Sequence, residues 1–437
     1  MSKITGVVLA LLLAIQAGAQ DTLRLDKAIE IALEKNHRIK IAKDQVEIAK
    51  NLATPGNANL LPTVSANASG SYGENNTRLE LVNSPVPIEA QGAASINTSA
   101  SINLNYTLFS GFSNRLNYKK LQLAYGSATA LERTQVENTL LSVITAYFNA
   151  VRAQDNFKAI EQTLSVSRER VIRSEAAVEL TGANRLSYYN ALVDFNQDSV
   201  SFLNARQVLQ ASQATLNQLL ALPIESIFTL DTIYNIPQLP PYSDLVKNMK
   251  SQNPEIVQKR LDEQTSLINL KIARSAYSPT LNLSGSYAYN RSESEGSFLL
   301  SNQSLGYTVG LNLSLPIYSG GRRTTAINNA RIQQEISALQ YEEMELNLEK
   351  ELYVAYQDFQ TTSKALVLEK MNLQTAEKNF QLTQERYLMG QVSGIDFRTA
   401  QINLLLARNN FSNLKYNLYL SALEVLRLSG NLTAELQ

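Results

Sequence analysis

From Ser95 to Phe109 the chain alternates polar and apolar residues almost without a break, and the pattern returns from Leu305 to Ile317. In the first stretch Ile96, Ala100, Ile102, Leu104, Tyr106 and Leu108 share one face, and Ser95, Asn97, Ser99, Ser101, Asn103 and Asn105 share the other. In the second, Leu305, Tyr307, Val309, Leu311, Leu313 and Leu315 alternate with Gly306, Thr308, Gly310, Asn312, Ser314 and Pro316. A period of two predicts a strand with one apolar and one polar face. Each strand runs into a glycine turn, Ser110-Gly111 or Ser319-Gly320-Gly321, and then into a long helical run without proline. Few folds need a long two-faced strand feeding a long helix, and fewer need it twice.

Each strand has a shorter alternating stretch before it. Thr63–Tyr72 precedes the first and Leu281–Tyr289 the second, with polar segments between, Gly73–Gly92 and Asn290–Ser304, that read as loops. A helical segment precedes each pair. The first, Leu23–Ala53, is interrupted at Asn36, which marks a break between two helical pieces. Behind the strands, Phe112–Leu222 contains no proline, and a helix from there to Thr181 would be roughly 100 Å long at 1.5 Å per residue. Thr181-Gly182-Ala183-Asn184 is a turn signal, and the return helix carries Phe202, Ala205, Leu209, Ser212, Leu216 and Leu219 at threes and fours. So short a turn makes the two helices antiparallel neighbours. The second hairpin turns at Gly390–Gly394 and returns with Leu404, Ala407, Phe411, Leu414, Leu418 and Val425.

Tyr318-Ser319-Gly320 lies 209 residues after Phe109-Ser110-Gly111, and Asn253 and Pro279 lie 217 residues after Asn36 and Pro62. The chain therefore reads as a tandem duplication of a helix–strand–strand–helix–helix unit. Repeat 1 covers 20–222, with strands at about 63–73 and 94–109 and a helical hairpin over 113–222. Repeat 2 covers 243–437, with strands at about 280–290 and 305–317 and a hairpin over 322–428. Between them, 223–242 holds four of the 11 prolines and reads as a linker.

Residues 1–19 have the features of a secretory signal: Lys3, the apolar Val7–Ile15 and the small Ala17-Gly18-Ala19, which puts the expected mature start at Gln20. No later apolar run is long enough for a transmembrane helix, so an exported chain of this kind is soluble or crosses a membrane as strands. Lys and Arg number 39 and Asp and Glu 39, which argues against a nucleic-acid surface. Without cysteine there is no disulfide, thiolate metal site or lipid-bearing cysteine. The single histidine, His37, reads as a solvated early-helix residue rather than a base or ligand. Carboxylates are scattered among Lys and Arg, so no catalytic constellation, metal site or cofactor is expected, and the chain is not read as an enzyme.

Four strands cannot close a barrel, and an open strand edge is not tolerated in lipid. Their length suits a tilted crossing of about 9–11 residues. Several chains must therefore pool strands, with the Asn/Ser/Thr faces lining water and the apolar faces outward. A soluble exported α+β protein is the alternative, but such long helices suit a small sheet poorly.

The ordered, repeated set of signals resembles the TolC-like outer membrane efflux protein family across essentially the whole mature chain. It comprises Leu61-Pro62-Thr63 and Ser278-Pro279-Thr280 before the strands, the two glycine exits, and Arg386-Tyr387-Leu388-Met389-Gly390 with Ile395-Asp396-Phe397 and Ala400-Gln401. The resemblance implies a mixed α and β membrane protein. A homotrimer would form a twelve-stranded outer-membrane β-barrel, four strands per chain, continuous with a long periplasmic α-helical barrel. It implies a periplasmic adaptor (membrane fusion) protein and an inner-membrane transporter as partners, with outer-membrane lipid around the strands. The tips Thr181–Leu186 and Met389–Ile395 would dock the adaptor, with Gly182, Arg185, Gly390 and Gly394 at the turns. Asp396 would form an acidic ring at the pore entrance through threefold symmetry, and Tyr387 would help hold that entrance shut. The chain departs from the family in three places: Val392 replaces the expected arginine, Thr399 the second acid, and Tyr188-Tyr189 brings no acid to the first tip. Arg185 and Arg398 are the candidates to replace the missing arginine. The implied function is passive export of drugs, metals or other small solutes. A type I protein-secretion duct is the alternative within the fold, and an exported coiled-coil scaffold or adhesin without a pore the alternative outside it.

Overall fold

The computed structural model describes residues 22–80, 82, 86–181, 185–232, 234–295 and 299–435. In chain order its elements are β1 (Thr22–Leu23), α1 (Leu25–Lys35), α2 (His37–Leu52), β2 (Thr63–Leu79), β3 (Ile88–Ser110), α3 (Ser113–Thr181) and α4 (Arg185–Leu219). There follow β4 (Thr229–Leu230), α5 (Tyr242–Gln252), α6 (Pro254–Ser275), β5 (Thr280–Ser294), β6 (Ser301–Ser314), α7 (Arg322–Leu388), α8 (Gly394–Leu428) and α9 (Leu432–Glu435). They form two compact units. One comprises the described residues of Met1–Gln45 with Ala130–Val257 and Glu343–Gln437; the other comprises Val46–Thr129 and Gln258–Glu342. The sequence signal at 1–19 lies outside the described residues.

The second unit contains a four-stranded antiparallel sheet in the order β2-β3-β5-β6. Register carries the alternation of each strand across all four. Ala66, Ile102, Tyr287 and Tyr307 form one cross-strand row, and Ala68, Ala100, Tyr289 and Leu305 the next on the same face. The opposite face has Asn67, Ser101, Ala288 and Gly306, then Ser69, Ser99, Asn290 and Ser304. Leu305, Tyr307, Val309, Leu311 and Leu313 are each 62–81% exposed, so the chain itself covers little of the apolar face of β6. Among the described residues neither β2 nor β6 has a strand on its outer edge.

All four strands reach further outward than their alternation suggests, because a ladder needs only backbone groups and cross-strand partners. β2 continues from 73 to 79 and β3 begins at 88 rather than 94, so the expected loop at Gly73–Gly92 is largely strand. Arg78 sits opposite Glu89 there and donates to it at 2.9 Å. β5 runs to 294, where Ser292 donates to Asn97, its partner in register, at 2.7 Å. β6 spans 301–314 rather than 305–317. Pro316 has no N–H for the ladder, and its carbonyl instead accepts from Arg323 Nη1 at 2.7 Å.

In the first unit the core gathers Tyr147, Phe148, Tyr416, Tyr419 and Leu423 against Leu23, Ala28 and Leu216. Phe148 stacks on Tyr416 with centroids 5.1 Å apart, and Tyr416 donates to Asp155 at 3.0 Å. Burial raises the Tyr416 phenol well above the ordinary tyrosine range. The segment expected as a linker is anchored here: β4 pairs in parallel with β1. Gln154 clamps Leu230, donating to its carbonyl at 3.1 Å and accepting from its N–H at 3.0 Å.

Asn36 ends α1 as expected, and it also reaches across the unit. Its Oδ1 accepts from the N–H of Arg38 at 2.8 Å and of Ile39 at 3.4 Å, while Nδ2 donates to Leu219 O at 2.7 Å. Asn253 makes the same set: Glu255 N–H at 2.9 Å, Ile256 N–H at 3.3 Å, and Leu428 O at 2.9 Å. Each buried asparagine caps the start of one helix and closes the end of a return helix.

Candidate functional site at the helical tips

The turn between α7 and α8 is built by local backbone rules. α7 ends at Leu388, and Gly390 takes φ +74°, a left-handed value that favours glycine. Gly390 N–H reaches Tyr387 O at 3.0 Å and Gln391 N–H reaches Arg386 O at 2.9 Å, which occupies carbonyls the helix end would otherwise leave free. Ser393 then caps α8 in a reciprocal box. Its Oγ accepts from Asp396 N–H at 3.2 Å, and its own N–H donates to Asp396 Oδ2 at 3.3 Å. Asp396 is exposed and sits in the first turn of α8, where the helix dipole favours a negative charge.

Gly394 is the first residue of α8, and a Cβ there would lie 3.9 Å from the Tyr387 ring. Tyr387 stacks on Phe397 at 4.8 Å between centroids and 14° between planes, and Phe380 packs on the same ring at 5.7 Å. Phe397 is buried. The structure thus brings Tyr387, Gly390, Gly394 and Asp396 into one turn, with Tyr387 anchoring it from within. Arg185, the first residue of α4, is exposed. Gly182 lies outside the described residues.

Above this turn a charged network ties the hairpins together. Arg398 on α8 donates to both carboxylate oxygens of Asp198 on α4, each at 2.7 Å, and to Gln401 Oε1 at 3.0 Å. Asp194, one turn before Asp198, pairs with Arg170 of α3 and lies 3.9 Å from Arg398 Nε. Ser167 donates to Asp198, and Gln401 to Thr163 O at 3.3 Å. Two arginines and two aspartates make the cluster neutral, as a buried charge group must be. Of these residues the family resemblance pointed only to Arg398, as one candidate to replace the missing arginine. The i, i+4 pair Asp194/Asp198 was the available signal for its partners.

The arrangement offers no nucleophile–base pair, and among the described residues no group of three or more His, Cys, Asp or Glu side chains is placed to hold a metal. Among the same residues no helix is long and apolar enough to cross a membrane.

A family model described as "Outer membrane efflux protein" matches the chain twice, at residues 28–222 and 245–431. "Outer membrane protein TolC" of Escherichia coli strain K12 is 23% identical over 368 residues, covering 79% of this chain and 72% of that protein. "Alkaline protease secretion protein AprF" of Pseudomonas aeruginosa is 23% identical over 308 residues, covering 69% and 63%. Among solved structures, the CmeC outer membrane channel of Campylobacter jejuni superposes with a TM-score of 0.76 at 19% identity, over 93% of this chain and 86% of that one. With most of its length matched and its mixed helix–sheet fold shared, the chain belongs to the outer membrane efflux protein family, whose members are ducts of the outer membrane that extend into the periplasm.

Proposed function

We propose that three copies of this chain pool their strands into one twelve-stranded barrel and their helices into a tunnel. The assembly serves as the exit duct of a tripartite efflux pump. Small molecules pass through it passively, delivered by a periplasmic adaptor and an inner-membrane transporter. The observation that carries this reading is the sheet: one face is mostly apolar and exposed along β6, the other mostly Asn, Ser, Thr and Gly, and among the described residues neither edge has a further strand. Lipid tolerates such a sheet only when other strands close it. Family channels generally work as homotrimers with adaptors and pumps. Two repeats, 20–222 and 243–437, joined through 223–242 and preceded by a signal at 1–19, are part of the same reading, supported by the double family match.

In this assembly the tip turns at Gly182/Arg185 and Gly390/Gly394 meet the adaptor. Three copies of Asp396 give an acidic ring that favours cations, and Tyr387 holds the closed turn. Single-channel recording on purified protein tests the duct. Discrete conductance steps are expected, and a well-folded trimer that conducts nothing would favour the scaffold or adhesin reading. A protein-secretion duct is the second reading, favoured by the likeness to AprF. Deleting the gene separates the two: efflux predicts solute hypersensitivity with an unchanged set of secreted proteins, and secretion predicts the reverse.

A further inference from the structure

We propose that the barrel closes in one defined register, with β6 of each subunit antiparallel to β2 of the next so that Asn312 faces Ser69, Leu313 faces Ala68 and Val309 faces Tyr72 of the neighbouring subunit. The proposal rests on the trimer reading and adds to it the pairing of the seam.

The argument starts from the two hairpins. A shift of 217 residues carries Thr63 to Thr280, and a shift of 209 carries its partner Asn105 to Ser314; both pairs are in register. The same two shifts carry every pair from Thr63 and Asn105 up to Asn75 and Ala93 onto a pair of the second hairpin. The hairpins are thus equivalent in register. The seam between them, β3 against β5, is then the chain's own copy of the seam that β6 must make with the next β2. Moving β3 forward by 209 and β5 back by 217 turns Asn103 opposite Ser286 into Asn312 opposite Ser69.

Residue types agree with the transfer. Asparagine faces serine in both seams. Leucine faces a small residue in both, Leu104 with Gly285 and Leu313 with Ala68. Tyrosine faces an aliphatic residue in both, Tyr289 with Ala100 and Tyr72 with Val309. Polar faces meet polar faces, whereas a slip of one residue would turn the leucines of β6 into the lumen. The same transfer carries Thr107 opposite Asn282 to Pro316 opposite Ser65, two residues beyond the end of β6 at Ser314, where proline has no N–H to give.

The chain has no cysteine, so introduced pairs report cleanly. The double variants Asn312→Cys/Ser69→Cys and Gly310→Cys/Ser71→Cys are both in register on the polar face and open to an aqueous oxidant. Asn312→Cys/Ser71→Cys and Asn312→Cys/Asn67→Cys are slipped by two residues, which moves the partner about 6.6 Å along the strand and out of disulfide reach. The readout is the yield of linked dimers and trimers on a non-reducing gel, with native mass spectrometry of the unoxidised protein. Both in-register pairs are expected to link at least about tenfold more than either slipped pair. Stronger linking in a slipped pair, equal linking in all, or none in a proven trimer overturns the register and leaves the trimer standing. A wild-type monomer in native mass spectrometry overturns the trimer reading and the register with it.

Discussion

Arg398 grips Asp198 through two parallel hydrogen bonds of 2.7 Å, one to each carboxylate oxygen. The arginine belongs to the hairpin of α7 and α8, the aspartate to that of α3 and α4. With side chains 15% and 6% exposed, the pair is largely out of water. Arg398→Ala strands a buried carboxylate, a loss on the order of 3–5 kcal/mol. Arg398→Lys recovers little, because an ammonium cannot span both oxygens. Hydrogen exchange at the ends of α4 and α8 measures this: exchange accelerates in both variants, and adding Asp198→Asn to Arg398→Ala slows it again.

Asp396 has two duties that substitution can separate. Asparagine keeps a carbonyl oxygen for the Ser393 N–H, so Asp396→Asn preserves most of the cap while removing the charge. Alanine loses the charge and the reciprocal half of the box, while Ser393 Oγ still accepts from the N–H of residue 396. In planar bilayers Asp396→Asn is expected to lower cation selectivity with little change in melting temperature. An unchanged reversal potential assigns Asp396 to the cap alone.

Glu137 is buried, and that burial raises its carboxyl pKa despite the Arg133 guanidinium at 2.9 Å. The folded protein therefore holds this proton more tightly than the unfolded chain. The stability it contributes is complete below the ordinary glutamate range and is lost as pH rises through the raised value. Glu137→Gln keeps an acceptor for Arg133 and removes the titration. Its melting temperature relative to wild type is expected to climb as pH rises from the ordinary glutamate range through the raised value. A constant difference across that range would contradict the assignment.

Two glycines in the turns that lead into α3 and α7 are not equivalent. Gly111 and Gly320 both have left-handed φ, +61° and +63°. A Cβ on Gly111 would lie 2.4 Å from Ser278 Cβ and 2.8 Å from Ser275 O, whereas one on Gly320 would meet nothing within 4 Å. Gly320→Ala pays only the backbone cost, about 1–2 kcal/mol. Gly111→Ala must also displace the turn after α6. Outer-membrane yield should fall sharply for Gly111→Ala and modestly for Gly320→Ala.

Alternation and proline spacing made the strands and long helices legible, because both signals are local. Strand ends were less so. Arg78 and Glu89 hold an extension that neither residue advertises by itself, and Pro316 shortens β6 although the apolar period continues through Ile317. The tip turn could be read from Gly390 and Ser393, since caps are written in a few consecutive residues. The network above it could not: Ser167, Arg170, Asp194, Asp198 and Arg398 are brought together only by helix packing. The β1–β4 pair was hidden for the same reason, with both strands only two residues long.

The asparagine clasps bear on the order in which the chain assembles itself. Asn36 waits 183 residues for Leu219 and Asn253 waits 175 for Leu428. Such long closures are slow to find. Yet every hydrogen-bond partner of the first clasp has emerged by residue 219, before any part of the second has left the translocation machinery. An exported chain arriving N-terminus first can therefore fasten its first half upon itself and present it as a finished surface to the half still arriving.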